Sequence, residues 1–173
     1  GVNRLSIGAQ SFYDDKLRYL GRKHTAQDIR DAFDRARKAG IKNISLDLMY
    51  GFSNQTMSEL EKDVNAITSL GAEHISLYTL TIEHNSRFFT KNLQLPDSEI
   101  QVEQYAFVKE FMEKKGYAQY EVSNFSRKGF ESKHNLNYWR GGEYIGLGIA
   151  AHSYIDGKRG WNISKLPDYI KRL

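Results

Sequence analysis

One pattern, written three times over, constrains this chain more than any other feature. A β-rich apolar run comes first, then a polar turn, then an amphipathic helix closed by glycine. Leu5 and Ile7 belong to a first strand ending near Gly8-Ala9-Gln10. Thr25 with Asp28 three residues on forms a capping box, in which each side chain serves the other residue's backbone N–H. It predicts a helix with Ile29, Ala32, Phe33 and Ala36 on one face, stopped at Gly40. The second strand is Asn43 to Met49, with Ile44, Leu46 and Leu48 in alternation. Thr56 and Glu59 repeat the capping box, Leu60, Val64 and Ile67 form the stripe, and Gly71 closes the helix. The third strand runs from His74 to about Ile82. Its helix starts after Pro96-Asp97, buries Tyr105, Val108 and Met112, and ends at Gly116. A fourth strand is predicted from Tyr117 to Val122.

Strands alternating with helices imply a parallel sheet joined by right-handed crossovers. Four strands do not close a barrel, which takes eight strands and about 250 residues. The chain therefore reads as the later part of a larger βα barrel, with a small open doubly wound sheet as the alternative. The opening Gly1-Val2-Asn3-Arg4 runs straight into a strand and looks like a boundary inside a fold. Residues 1–124 carry the βα repeats. Residues 125–173 are rich in Gly, aromatics and His, with no clear helix before Pro167, and read as a segment closing the mouth of a site. The whole is taken as the C-terminal part of one barrel domain.

Composition narrows the function classes. The net charge of +4 is spread over helix faces among acids, which points away from nucleic acid and toward an ordinary solvated surface. With no cysteine, the chain has no disulfide, thiolate nucleophile or cysteine metal ligand, and a reducing, cytoplasmic setting is expected. No run approaches the roughly 18 apolar residues of a membrane helix.

In parallel βα folds, functional side chains gather at the carboxyl ends of strands. Gln10, Asp47 and Thr81 hold that place on the first three strands, and Glu121 and Asn124 on the fourth. A carboxylate inside the apolar run Ile44–Gly51 needs a partner. Asp47 either serves a ligand or bonds to the turn at Gly51 and shapes it, and Gln10 carries the same two readings. Arg22 lies in a loop where most arginines are surface charges. The five histidines lack metal-ligand spacing. His134 leads the run His134-Asn135-Leu136-Asn137-Tyr138-Trp139, which suits a flat metal-bearing ligand or a packed aromatic rim. The glycines of Gly146-Leu147-Gly148 lack the spacing of a phosphate loop and suggest close backbone approach.

GVNRLSIGAQSF, the GR at Gly21-Arg22, ISLDLMYG, HISLYTLTIE, YEVSNF, HNLNYW and GLGIAAHS, in this order, resemble the oxygen-independent coproporphyrinogen III oxidase family of radical SAM proteins, in particular its HemW-type haem-chaperone branch. The resemblance covers essentially the whole chain. It implies a partial βα barrel whose earlier strands carry a CxxxCxxC loop for a [4Fe–4S] cluster, absent here, so this portion alone is expected to hold no metal and to be inactive. It also implies that Gln10, Arg22 and Asp47 contact S-adenosylmethionine, with Thr81 near the cofactor. HNLNYW resembles the haem-associated signature of the chaperone branch, making His134 a haem ligand by resemblance. The turn after Tyr50-Gly51 lacks the proline that the family commonly has there. The implied functions are haem binding and transfer to an acceptor protein, or oxidative decarboxylation of coproporphyrinogen III; a cofactor-free interaction domain is a third reading. An open strand edge also invites a homodimer.

Overall fold

The computed structural model describes residues 1–84, 86–90 and 93–172. They divide into two compact units, Gly1–Glu131 and Ser132–Leu173. In the first, β1 (Arg4–Gln10) leads through α1 (Asp14–Tyr19) and α2 (Ala26–Lys38) to β2 (Asn43–Tyr50). Then come α3 (Met57–Ser69), β3 (His74–Thr79), the single turn α4 (Arg87–Thr90) and α5 (Ser98–Lys114). β4 (Ala118–Gln119) and β5 (Asn124–Ser126) complete a five-stranded sheet ordered β1-β2-β3-β5-β4. Strands β1, β2 and β3 are parallel, as the alternation predicts.

Both capping boxes form. The hydroxyls of Thr25 and Thr56 accept the N–H of Asp28 and Glu59, and each acid accepts in return at 2.8 Å. Such a cap contributes about 1 kcal/mol to a helix end. Alternate residues of the strands face the helices: Ile44, Leu46 and Leu48 of β2, Ile75 and Leu77 of β3, and Phe125 of β5 are buried. They pack on Phe33 and Ala36 of α2, Leu60, Val64 and Ile67 of α3, and Val108 and Met112 of α5. Leu46 is fully enclosed, so Leu46→Ala leaves a cavity costing about 2–5 kcal/mol. The opposite face of the same strands carries Arg4, Ser6, Gly8, Ser45, Asp47, His74 and Ser76, with Met49 and Tyr78 beyond them toward the strand ends. One apolar face and one polar face is the arrangement of a partial βα barrel, with helices outside and ligand groups inside.

Four details of the first unit depart from the sequence pattern. Strand β3 ends at Thr79 rather than near Ile82. The fourth strand does not run from Tyr117 to Val122. Its chain reverses after Gln119, where the Tyr120 N–H donates to the Asn124 carbonyl at 3.2 Å and the Glu121 carboxylate accepts the Ser123 N–H at 3.1 Å. The returning strand β5 inserts antiparallel between β3 and β4. Helix α5 buries Gln104, Val108 and Met112, and Tyr105 is 37% exposed, one position round from the expected face. Helix α1 is too short to show a stripe; only Leu17 is buried.

The second unit contains α6 (Lys133–Trp139), the hairpin β6 (His152–Ile155) and β7 (Lys158–Trp161), and α7 (Leu166–Ile170). A helix was not expected before Pro167, yet α6 forms with the Ser132 hydroxyl accepting the Asn135 N–H. The hairpin turns through Asp156-Gly157, both at positive φ, as a tight two-residue turn requires. A Cβ at Gly146 would fall 2.1 Å from the His152 carbonyl oxygen, so this glycine serves the approach of a neighbouring strand. Among the described residues, no helix is long and apolar enough to cross a membrane.

Candidate cofactor-binding face

The strand register lines up Gly8, Asp47, Ser76 and Asn124 across β1, β2, β3 and β5. Paired residues project to the same side, so these four make one polar row across the sheet. Burial pushes the Asp47 carboxyl above its ordinary range, opposed by a hydrogen bond with Ser76 and by the positive charge of Arg4. Asn124 is 4% exposed and its Oδ1 has no hydrogen-bond partner among the described residues. A half-buried carboxylate beside an unspent amide oxygen is an acceptor-rich surface suited to the hydroxyl and amine donors of a polar ligand. The turn-shaping alternative for Asp47 does not hold: the Gly51 N–H donates to Gln55 Oε1 at 2.8 Å.

Nearer the strand starts, the same face is closed by neutral side chains. Ser45 Oγ lies 2.8 Å from His74 Nδ1, and His74 Nε2 lies 2.8 Å from the Tyr120 hydroxyl. Burial and the charge of Arg4 lower His74 to about 4, so the ring is neutral at physiological pH.

Gln10 ends β1 in an unusual conformation. The Ser11 N–H donates to the Ala9 carbonyl at 2.9 Å, closing a three-residue turn around Gln10 at φ 69. Such turns are rare and strained, and the pairing register of β1 slips here. The Gln10 amide folds back: a Cβ built on Gly8 would meet Gln10 Nε2 at 2.7 Å. The absent side chain of Gly8 thus makes the space that admits the Gln10 amide to the face bearing Asp47. Arg22 is exposed in the α1–α2 connection. Its loop is tied to the same strand end, because His24 Nε2 lies 3.3 Å from the Ala9 carbonyl oxygen and the Arg22 N–H donates to Leu17 O at 2.9 Å. Thr81 lies just past β3, where the Leu80 N–H donates to Tyr50 O at 2.7 Å. The structure therefore brings Gln10 and Asp47 together, with the Arg22 loop and Thr81 at the same carboxyl end of the sheet. Glu121 is spent in the β4–β5 turn. His134 belongs to the second unit, exposed on α6 with its ring edge-on to Tyr138 at 4.6 Å between centroids.

Two participants escaped the sequence reading. Ser76 pairs with Asp47 only through register. Asp63, on α3, is fully buried and accepts from Ser11 Oγ at 2.9 Å and from the Phe12 N–H at 2.7 Å. A signal for it was present: residue 63 falls on the apolar stripe between Leu60 and Ile67, where an unpaired carboxylate is costly.

A sheet with parallel β1, β2 and β3, helices on one face, and a bulged glutamine turn and a half-buried aspartate on the other is the arrangement of a partial βα barrel. Residues 1–67 match the radical SAM superfamily. The chain is 47% identical over 98% of its length to the heme chaperone HemW of Bacillus subtilis (strain 168), covering 46% of that protein. It is 43% identical over 90% of its length to the heme chaperone HemW of Haemophilus influenzae, covering 40% of it. Its fold matches the solved structure of coproporphyrinogen III oxidase (HemN) from Escherichia coli, a radical SAM enzyme, with a TM-score of 0.81 at 20% identity over 99% of this chain and 43% of that one. The chain is thus similar to the radical SAM superfamily over residues 1–67 and to HemW heme chaperones over nearly its whole length, and it spans just under half the length of the relatives it matches.

Proposed function

We propose that this chain supplies the adenosylmethionine-contacting wall of a haem-chaperone-type radical SAM protein. The observation that carries the reading is the joint placement of Gln10 and Asp47 on one polar face, with Gly8 leaving room for the amide. These groups fit the cofactor. The Asp47 carboxylate accepts hydrogen bonds from ribose hydroxyls, while Gln10 and Arg22 serve the methionine end, Arg22 through a charge-assisted bond to carboxylate. Thr81 borders the same site. Adenosylmethionine would supply a 5′-deoxyadenosyl radical, with methionine as the other product, on taking one electron from a reductant outside this chain; the chain's own part is to bind and orient it. The residues present do not fit a [4Fe–4S] cluster, because the chain has no cysteine. Haem is the proposed cargo. His134 offers an imidazole on an exposed helix beside Tyr138 and Trp139, which are 45% and 61% exposed and give a flat apolar surface. The partners this reading carries are haem, a haem-receiving protein and, through an open strand edge, a second copy.

Titration calorimetry on the complete natural polypeptide that carries these residues tests the central assignment. Asp47→Ala is expected to weaken adenosylmethionine binding by about tenfold or more, as loss of a hydrogen-bonded charge does. Equal affinities for parent and variant would defeat it. The likeness in fold to a coproporphyrinogen III oxidase supports a second reading, oxidative decarboxylation of that porphyrinogen, which predicts turnover where the chaperone reading predicts stoichiometric haem binding.

A further inference from the structure

Asp63 is buried in the interior of α3, yet its carboxylate reaches the loop that follows Gln10 rather than any group on its own helix. Its Oδ2 accepts from Ser11 Oγ and its Oδ1 from the Phe12 N–H, and Ser11 Oγ accepts the Tyr13 N–H at 3.1 Å. Three consecutive residues after the strained turn are therefore held by one side chain, directly or through Ser11. A positive φ at a non-glycine residue persists only where the surroundings over-determine it. Here the surroundings are this carboxylate and the Ala9–Ser11 hydrogen bond. We infer that Asp63 is a positioning residue for adenosylmethionine, holding the turn at Gln10 so that the glutamine amide lies over Gly8 beside Asp47. This rests on the proposed cofactor reading above and extends it to a residue that touches no cofactor itself.

The charged neighbours make the device sensitive to protons. Lys16 of α1 pairs with Glu59 of α3 at 3.3 Å, and both act on Asp63, Lys16 favouring its ionised form and Glu59 opposing it. The Tyr13 phenol is the remaining titratable group facing it. Burial outweighs the rest and raises Asp63 to about 6. At pH 7.5 the carboxylate is ionised and grips the Phe12 N–H with a charge-assisted bond; below about pH 6 it gains a proton and that bond weakens.

The test compares parent, Asp63→Asn, Ser11→Ala and Asp47→Ala in the complete natural polypeptide, titrated with S-adenosylmethionine from pH 5.5 to 7.5. Asp63→Asn is expected to lose about tenfold in affinity at pH 7.5, with the gap to the parent closing at pH 5.5. Ser11→Ala, which spares the Phe12 bond, keeps the parent's pH profile with a smaller loss. Without ligand, amide exchange at residues 10–13 is expected to quicken in Asp63→Asn, a readout independent of the cofactor. If Asp47→Ala weakens binding while parent and Asp63→Asn follow parallel pH curves, the positioning role is overturned and the cofactor reading stands. If Asp47→Ala binds like the parent, the cofactor reading falls and takes this inference with it. Should Asp63→Asn fail to fold, Ser11→Ala decides: unchanged affinity together with unchanged exchange at residues 10–13 overturns the inference.

Discussion

Replacing His74 by Gln is expected to change how the stability of this chain responds to pH between 4 and 6.5. His74 is buried and held to about 4 against an ordinary 6.5, chiefly by desolvation. In that window the unfolded chain binds a proton at His74 that the folded chain refuses, so stability is lost as pH falls. At 1.36 kcal/mol per pH unit the full effect is about 3 kcal/mol. Asp63 works in the other direction. Its folded value of about 6 lies above the ordinary 3.8, so the folded chain holds a proton that the unfolded chain releases. Its contribution is complete at low pH and is lost as pH rises toward 6, again by about 3 kcal/mol. In the parent the two slopes oppose each other. His74→Gln keeps a neutral hydrogen-bonding side chain toward Ser45 and Tyr120 and leaves the Asp63 slope uncovered. Relative to the parent, the variant therefore gains about 3 kcal/mol on going from pH 7 to pH 4, or about 1.5 M in urea midpoint at a slope of about 2 kcal/mol/M. Asp63→Asn shifts the other way. Urea unfolding at half-unit steps of pH measures both. Parallel curves for parent and both variants would refute the assignment of these two buried groups.

Gly8→Ala is expected to change folding stability by less than about 0.5 kcal/mol, because the atom it meets is the mobile end of Gln10. It should nonetheless lower adenosylmethionine affinity by displacing that amide; unfolding curves and calorimetry on one preparation separate the two effects. His134→Ala is expected to weaken haem binding in the complete polypeptide and to change the Soret band, and an unchanged difference spectrum removes His134 from the haem role.

Local chemistry made much of this molecule readable. Both capping boxes formed where Thr25 and Thr56 announced them, because a cap depends on residues within one turn of each other. The strand alternation placed the core of β2 correctly, since Ile44, Leu46 and Leu48 have only one way to be buried together. The β4–β5 reversal was not readable: YEVSNF alternates well enough for one strand, and only pairing with β3 decides that Asn124 returns beside Ser76. The turn at Gln10 was hidden for a related reason. Nothing in the residue type asks for a positive φ, and what sustains it is Asp63, more than fifty residues away in sequence. Gln10 and Asp47 were identified as candidates by position and resemblance; that they share a face required the register and the space left by Gly8.

The two-sidedness of the sheet separates two kinds of change. In β2, Ile44, Leu46 and Leu48 answer to the helices behind them, while their immediate neighbours in sequence answer to the polar face, Ser45 to His74 and Asp47 to Ser76. A substitution at Asp47 alters the polar row at small cost to the helix-covered layer, and one at Ile44, Leu46 or Leu48 does the reverse. Such a strand can keep its architecture while the chemistry of its polar face is rewritten residue by residue.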